Sequence, residues 1–191
     1  MELVEIPLRS FAATAMPSLS EAFNKERKQE VVYIMQKYTG ILTMLLIPAA
    51  LIVAVFSNFA IGIIGGEKYI YTEAPNIFRF FMTFALLYPA DRFLALSVDV
   101  INKPKVNFFK VLVMLIINVV GDFIGIALLH NVYGVIFSTA ISTIVGVWVG
   151  YYTLNSYAPF KLFDIYKLGF KESKVFLALR LAELKTFIKR K

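Results

Sequence analysis

Four uninterrupted apolar runs, Tyr38–Ile64, Asn76–Val98, Phe108–Leu129 and Tyr133–Leu154, constrain this 191-residue chain more than any other feature. Each reaches the roughly 20 helical residues that cross a hydrocarbon core. In that medium every backbone N–H and C=O needs a partner within a helix or a closed barrel. Barrel strands read as short alternating segments, whereas these runs are continuous, so the expected fold is an all-α integral membrane bundle. The composition agrees: 59% of residues are apolar and 17% charged, where soluble domains have about 45–50% and roughly 25%. That apolar content excludes disorder. The absence of cysteine excludes disulfide scaffolds, zinc–thiolate sites and thiol nucleophiles, and a single histidine, His130, excludes most histidine metal sites and dyads.

Ahead of the first run, Ile6–Met16 is small and apolar but too short to span. Glu2 and Glu5 stand where a signal peptide would carry basic residues. Residues 1–16 are therefore expected to be the end of a transmembrane helix that begins upstream. Residues 17–37 are expected to form a cytoplasmic linker. Pro17, Ser18, Ser20 and Glu21 predict a helix restart and a short amphipathic helix over 18–36. Lys and Arg alternate between connections: four in 17–37, Lys68 alone in 65–75, then Lys103, Lys105 and Lys110 in 99–110, none at His130–Val132, and nine in 155–191. The positive-inside bias places 17–37, 99–110 and the C-terminal tail in the cytoplasm. These charges flank spans and lack an aromatic stacking platform, so no nucleic-acid partner is read from them. In the tail, Leu162, Ile165, Leu168, Val175, Leu177, Leu181 and Leu184 alternate with Lys167, Lys171, Lys174 and Lys185. That pattern predicts an amphipathic helix on anionic membrane lipid, with a solvated basic tail as the alternative.

Ionisable groups inside a span cost about 2.5–3.5 kcal/mol each on insertion scales, so each is a candidate for function. Arg79 lies near one end of its run and either snorkels or serves a cavity. Asp91 and Arg92 follow Pro89, which removes a bond to the carbonyl of residue 85 and kinks the helix. They form a neutralised pair or face a polar cavity, and Arg92 could instead pair with Asp99 along one face. Asn118 and Asp122 share a face beside Gly121 and Gly125. Asp122 is either a proton- or cation-binding group or an acid hydrogen-bonded to a neighbouring helix. Ser138, Thr139, Ser142, Thr143 and Gly146-xxx-Gly150 read as helix packing, and Pro48 as a second hinge candidate beside Pro89. No phosphate-loop, zinc-protease or nucleophile-elbow motif occurs, and Asp91, Asp99 and Asp122 are too dispersed for a metal cluster, so no enzymatic activity is expected.

Taken in order, RSFAATAMPSLSEAFNKE, LLIPAALIVAVF, GGEKY, DVINKPKVNFFK, LIINVVGDFIGIALL and YGVIFSTAISTIVG resemble the C-terminal part of a polysaccharide biosynthesis protein. That family comprises lipid-linked oligosaccharide flippases of the O-antigen type, in the superfamily of the MATE-like exporters. The resemblance implies one lobe of a two-lobed bundle, with four full transmembrane helices and the end of a fifth, in a bacterial cytoplasmic membrane. It also implies an N-terminal lobe supplied in cis or trans, and an anionic polyprenyl-pyrophosphate-linked oligosaccharide as the substrate. A diphosphate needs cavity cations to cross a low-dielectric barrier, for which Arg9, Arg79 and Arg92 are available. Asp122, Asp91 and Asn118 are the candidates for H⁺ or Na⁺ coupling, with no other cofactor implied. A cation-coupled drug or metabolite antiporter of the same fold, and a non-transporting scaffold or degenerate fragment, are the alternatives.

Overall fold

The computed structural model describes residues 2–129 and 132–174, which are helical apart from their turns. Seven helices follow in order: α1 (Glu2–Asn24), α2 (Lys28–Val55), α3 (Ser57–Gly65), α4 (Ala74–Ala85), α5 (Tyr88–Val100), α6 (Pro104–Leu129) and α7 (Tyr133–Tyr157). A further helical stretch covers residues 164–174. Four spans are long and apolar enough to cross a membrane: Lys28–Val55, Ala74–Val100, Pro104–Ala127 and Tyr133–Tyr157. That anatomy is consistent with a multi-pass membrane protein.

The first departure from expectation lies at Pro17, where the helix does not restart. Leu8, Ala12, Ala15, Leu19 and Ala22 are all buried at alternating steps of four and three. This spacing makes one continuous stripe that packs α1 on α2 and α5 through the proline. The packing on both sides of Pro17 outweighs the single missing N–H, so there is no separate helix over 18–36. Instead α1 ends at Asn24. Glu26 adopts the left-handed conformation (φ 55°), and the amides of Arg27 and Glu26 donate to the carbonyls of Ala22 and Phe23 at 2.9 Å each. These are the two bonds of a Schellman motif. The α5–α6 turn repeats the device: Asn102 has φ 59°, and Lys103 and Asn102 donate to Val98 and Asp99 at 3.1 Å. Pro104 then opens α6, where its missing N–H costs nothing.

The second apolar run also begins earlier than its hydropathy suggests. Val31, Met35, Thr39 and Leu42 are buried one after another, so α2 starts at Lys28, ten residues before Tyr38. Tyr38 then sits between Phe11 of α1 and Phe93 of α5, with ring centroids 6.4 and 6.1 Å away. The helix runs through Pro48 without interruption and breaks instead at Phe56. The expected kink at Pro89 is a full break: α4 stops at Ala85, and Pro89 lies in the first turn of α5.

Backbone proximity dictates the remaining packing. A Cβ at Gly125 would stand 2.6 Å from Gly134 Cα, and one at Gly121 would stand 2.6 Å from Ser138 Cβ. The α6–α7 pair therefore closes on its small residues, as their spacing implies. Past α7, the apolar side of segment 164–174 lies on α2 rather than free for lipid. Ile165 is buried, and a Cβ at Gly40 would stand 2.5 Å from Gly169 Cα. Lys37 pairs with Glu172 at 3.3 Å, and Lys167, Lys171 and Lys174 stay exposed. The tail positions Val175, Leu177, Leu181, Leu184 and Lys185, and His130 with Asn131, lie outside the described residues.

The left-handed conformation at Glu26 costs a non-glycine residue about 1 kcal/mol or more. Glu26→Gly is expected to stabilise the chain by about 0.5–1 kcal/mol, measured as a raised unfolding temperature in detergent.

Candidate functional site

Three helices meet at the most enclosed charge in the described structure. Lys110 Nζ lies 2.7 Å from Asp91 Oδ1, with the Lys110 side chain 3% exposed and that of Asp91 25%. Lys110 was expected in a cytoplasmic connection, but the connection shrinks to Ile101–Lys103 and α6 carries Lys110 inward. Gly146 of α7 makes the room, since a Cβ there would stand 2.8 Å from Asp91 Oδ1 and 2.6 Å from Met114 Sδ. Neither expected pairing of Asp91 with Arg92 nor of Arg92 with Asp99 forms. Asp99 instead accepts both its bonds from Asn107 Nδ2, at 3.0 and 3.1 Å. The reason is geometric: α6 returns antiparallel beside α5 and brings Lys110 and Asn107 to these carboxylates.

Arg92 is left on the exposed side of α5, with Asp99 two turns further on the same side. It forms no ion pair or hydrogen bond among the described residues. The other two candidate cations are occupied. Arg9 is bound to Glu5 at 2.6 Å on an exposed face of α1, an arrangement worth little. Arg79 fastens the α2–α3 break to α4: it donates to the Ala54 carbonyl at 3.1 Å, to Asn76 Oδ1 at 2.8 Å and to Asn58 Oδ1 at 3.3 Å. Of the two readings open for Arg79, snorkelling or a cavity role, neither describes it; it closes the helix end left open at Phe56.

Asn118 and Asp122 line one side of the α6–α7 contact. Asn118 Oδ1 is enclosed and accepts no hydrogen bond. Asp122 accepts from the Ser138 hydroxyl, whose oxygen also lies 3.0 Å from the Val135 carbonyl. A hydroxyl has one hydrogen, so it serves only one of the two at a time. No Lys or Arg among the described residues pairs with Asp122. No three His, Cys, Asp or Glu residues converge either. One carboxylate with neutral amide and hydroxyl oxygens suits a proton or a hard monovalent cation rather than a transition metal.

At the opposite end of the spans, Tyr133 donates to Glu73 Oε2, Asn76 Nδ2 donates to the same oxygen at 3.2 Å, and Phe80 packs edge-on against Tyr133 at 5.9 Å. The Tyr133 hydrogen bond, followed by that from Asn76, holds the Glu73 carboxyl below the usual carboxylate range. This contact ties the start of α4 to the start of α7, and nothing in the spacing of Glu73 and Tyr133 announces it. Comparison with protein families, with curated proteins and with solved structures finds no match for the chain.

Arg79→Lys removes the planar fork that reaches three acceptors at once. Amide hydrogen exchange over residues 54–58 is expected to rise while exchange in α6 and α7 stays unchanged. A carboxyl depressed in the folded state contributes stability above its unfolded pKa, and that contribution fades as pH falls through the lowered folded value. Tyr133→Phe is therefore expected to raise the Glu73 titration midpoint and to flatten the acid dependence of stability, read by carbon-13 carboxyl shifts and by unfolding at each pH.

Proposed function

We propose that the chain is one lobe of a flippase that moves polyprenyl-pyrophosphate-linked oligosaccharide across a bacterial cytoplasmic membrane, completed by a second lobe in cis or trans. The observation that carries this reading is Arg92, a guanidinium more than two turns inside a span with no protein partner. An unpaired charge at that depth is expensive unless an anion or water-filled cavity meets it. A diphosphate headgroup supplies charge-assisted, bidentate acceptors that match its fork. Arg9 and Arg79, engaged by Glu5 and by the α2–α3 break, leave Arg92 as the headgroup contact of this lobe. The order of the chain's motifs supports the same family reading.

The Asn118–Asp122–Ser138 oxygens supply the coupling element, taking H⁺ or Na⁺ and so biasing the two access states. The same group, taken without Arg92, supports the second reading, a cation-coupled antiporter for drugs or metabolites. Arg92 separates the two, because a cationic cargo gains nothing from a guanidinium.

Complementation of a strain lacking its own flippase tests the proposal. The chain fused to an upstream lobe is expected to restore surface glycan, and Arg92→Gln in that fusion is expected to cut export by about tenfold or more. Unchanged export in Arg92→Gln would assign the headgroup elsewhere.

A further inference from the structure

Arg92 stays unpaired although its chain neighbour, Asp91, carries the opposite charge. In a low-dielectric surrounding, a carboxylate one residue away is the first partner a guanidinium would take. The structure turns Asp91 away from it, and three helices take part. Helix α5 supplies the carboxylate, α6 the Lys110 ammonium at 2.7 Å, and α7 the gap at Gly146 that admits Asp91 Oδ1. Lys110 is itself enclosed, so it offers no surface to a ligand. Asp91, Arg92 and Lys110 together carry one net positive charge, and the pairing leaves it on Arg92, the exposed member.

We infer that Lys110 is a positioning residue for headgroup binding: by holding Asp91 in the Gly146 gap, it keeps the Arg92 guanidinium available to a diphosphate. The inference rests on the flippase reading and adds to it the residue that maintains its binding charge. It also explains why a lysine lies inside α6, where a stability argument alone would favour an apolar side chain.

The test is binding of radiolabelled geranylgeranyl diphosphate to the full chain in lipid nanodiscs, with thermal unfolding of every variant alongside. Lys110→Met is expected to weaken binding by about tenfold or more, because Asp91 turns onto Arg92. Lys110→Arg retains affinity. Gly146→Ala, which alters no charge, is expected to give a similar loss by expelling Asp91 from its gap. The double variant Asp91→Asn/Lys110→Met regains affinity, and so does the triple variant that adds Gly146→Ala. Asn is as large as Asp, so relief in the triple variant reports removal of charge and not of a clash. If Lys110→Met does not fold, the comparison of Gly146→Ala with the triple variant decides the matter alone.

Unchanged affinity in Lys110→Met, or a triple variant as weak as Gly146→Ala, overturns the inference. Loss of binding in Arg92→Gln combined with either of those results overturns it alone. Full binding in Arg92→Gln overturns the headgroup reading and this inference with it.

Discussion

The close approach of α6 to α7 is the contact on which the remaining geometry depends. Where Gly125 meets Gly134 and Gly121 meets Ser138, backbones approach to distances that no side chain would permit. That approach sets an antiparallel register, and the register carries Met114 to Gly146 further along the same pair. Only with that register does the gap at Gly146 open opposite α5 and receive Asp91. The arrangement follows from the physics of helices in lipid. No hydrophobic gain drives apolar helices together there, so dispersion between close backbones and a few polar bonds must do so.

Polar groups inside the described bundle divide into those that close the structure and those that are left open. Arg79 closes a broken helix end, the Ser138 hydroxyl meets Asp122, and Lys110 meets Asp91. Arg92 and Asn118 Oδ1 remain without partners. Where most buried polar groups are satisfied, the exceptions concentrate attention on themselves. The flippase reading takes both exceptions as ligand contacts, one for an anionic headgroup and the other for a coupling cation.

Much of the architecture was legible because it depends on runs and on local spacing. The four apolar runs correspond to the four candidate spans, and Gly121 and Gly125 identify the α6–α7 seam. Pro89 marks a helix break because its effect acts on the residues beside it. What was not legible depends on packing between distant segments. Pro17 lies inside a helix because Leu19 and Ala22 continue the stripe begun by Leu8 and Ala12, an effect seen only once α2 and α5 are in place. Lys110 resembles a topogenic lysine by position, and its burial follows from α6 starting at Pro104. A signal was present, since Asp91 and Lys110 flank a tight turn, but many lysines beside spans share that property. Arg79 was identified as a charged residue near a span end, yet its task depends on a break at Phe56 that neither proline nor glycine announces.

The meeting of Gly40 with Gly169 joins the second helix to a segment near the far end of the described chain. In biosynthesis these two glycines emerge far apart in time, by about ten seconds at ordinary elongation rates. For that interval α2 carries an open notch on the side where Tyr33 and Lys37 later meet Glu172. The order of assembly is thereby written into the chain. The first helices associate early, while the 164–174 segment acts as the final closure, applied only after the spans between them have been made.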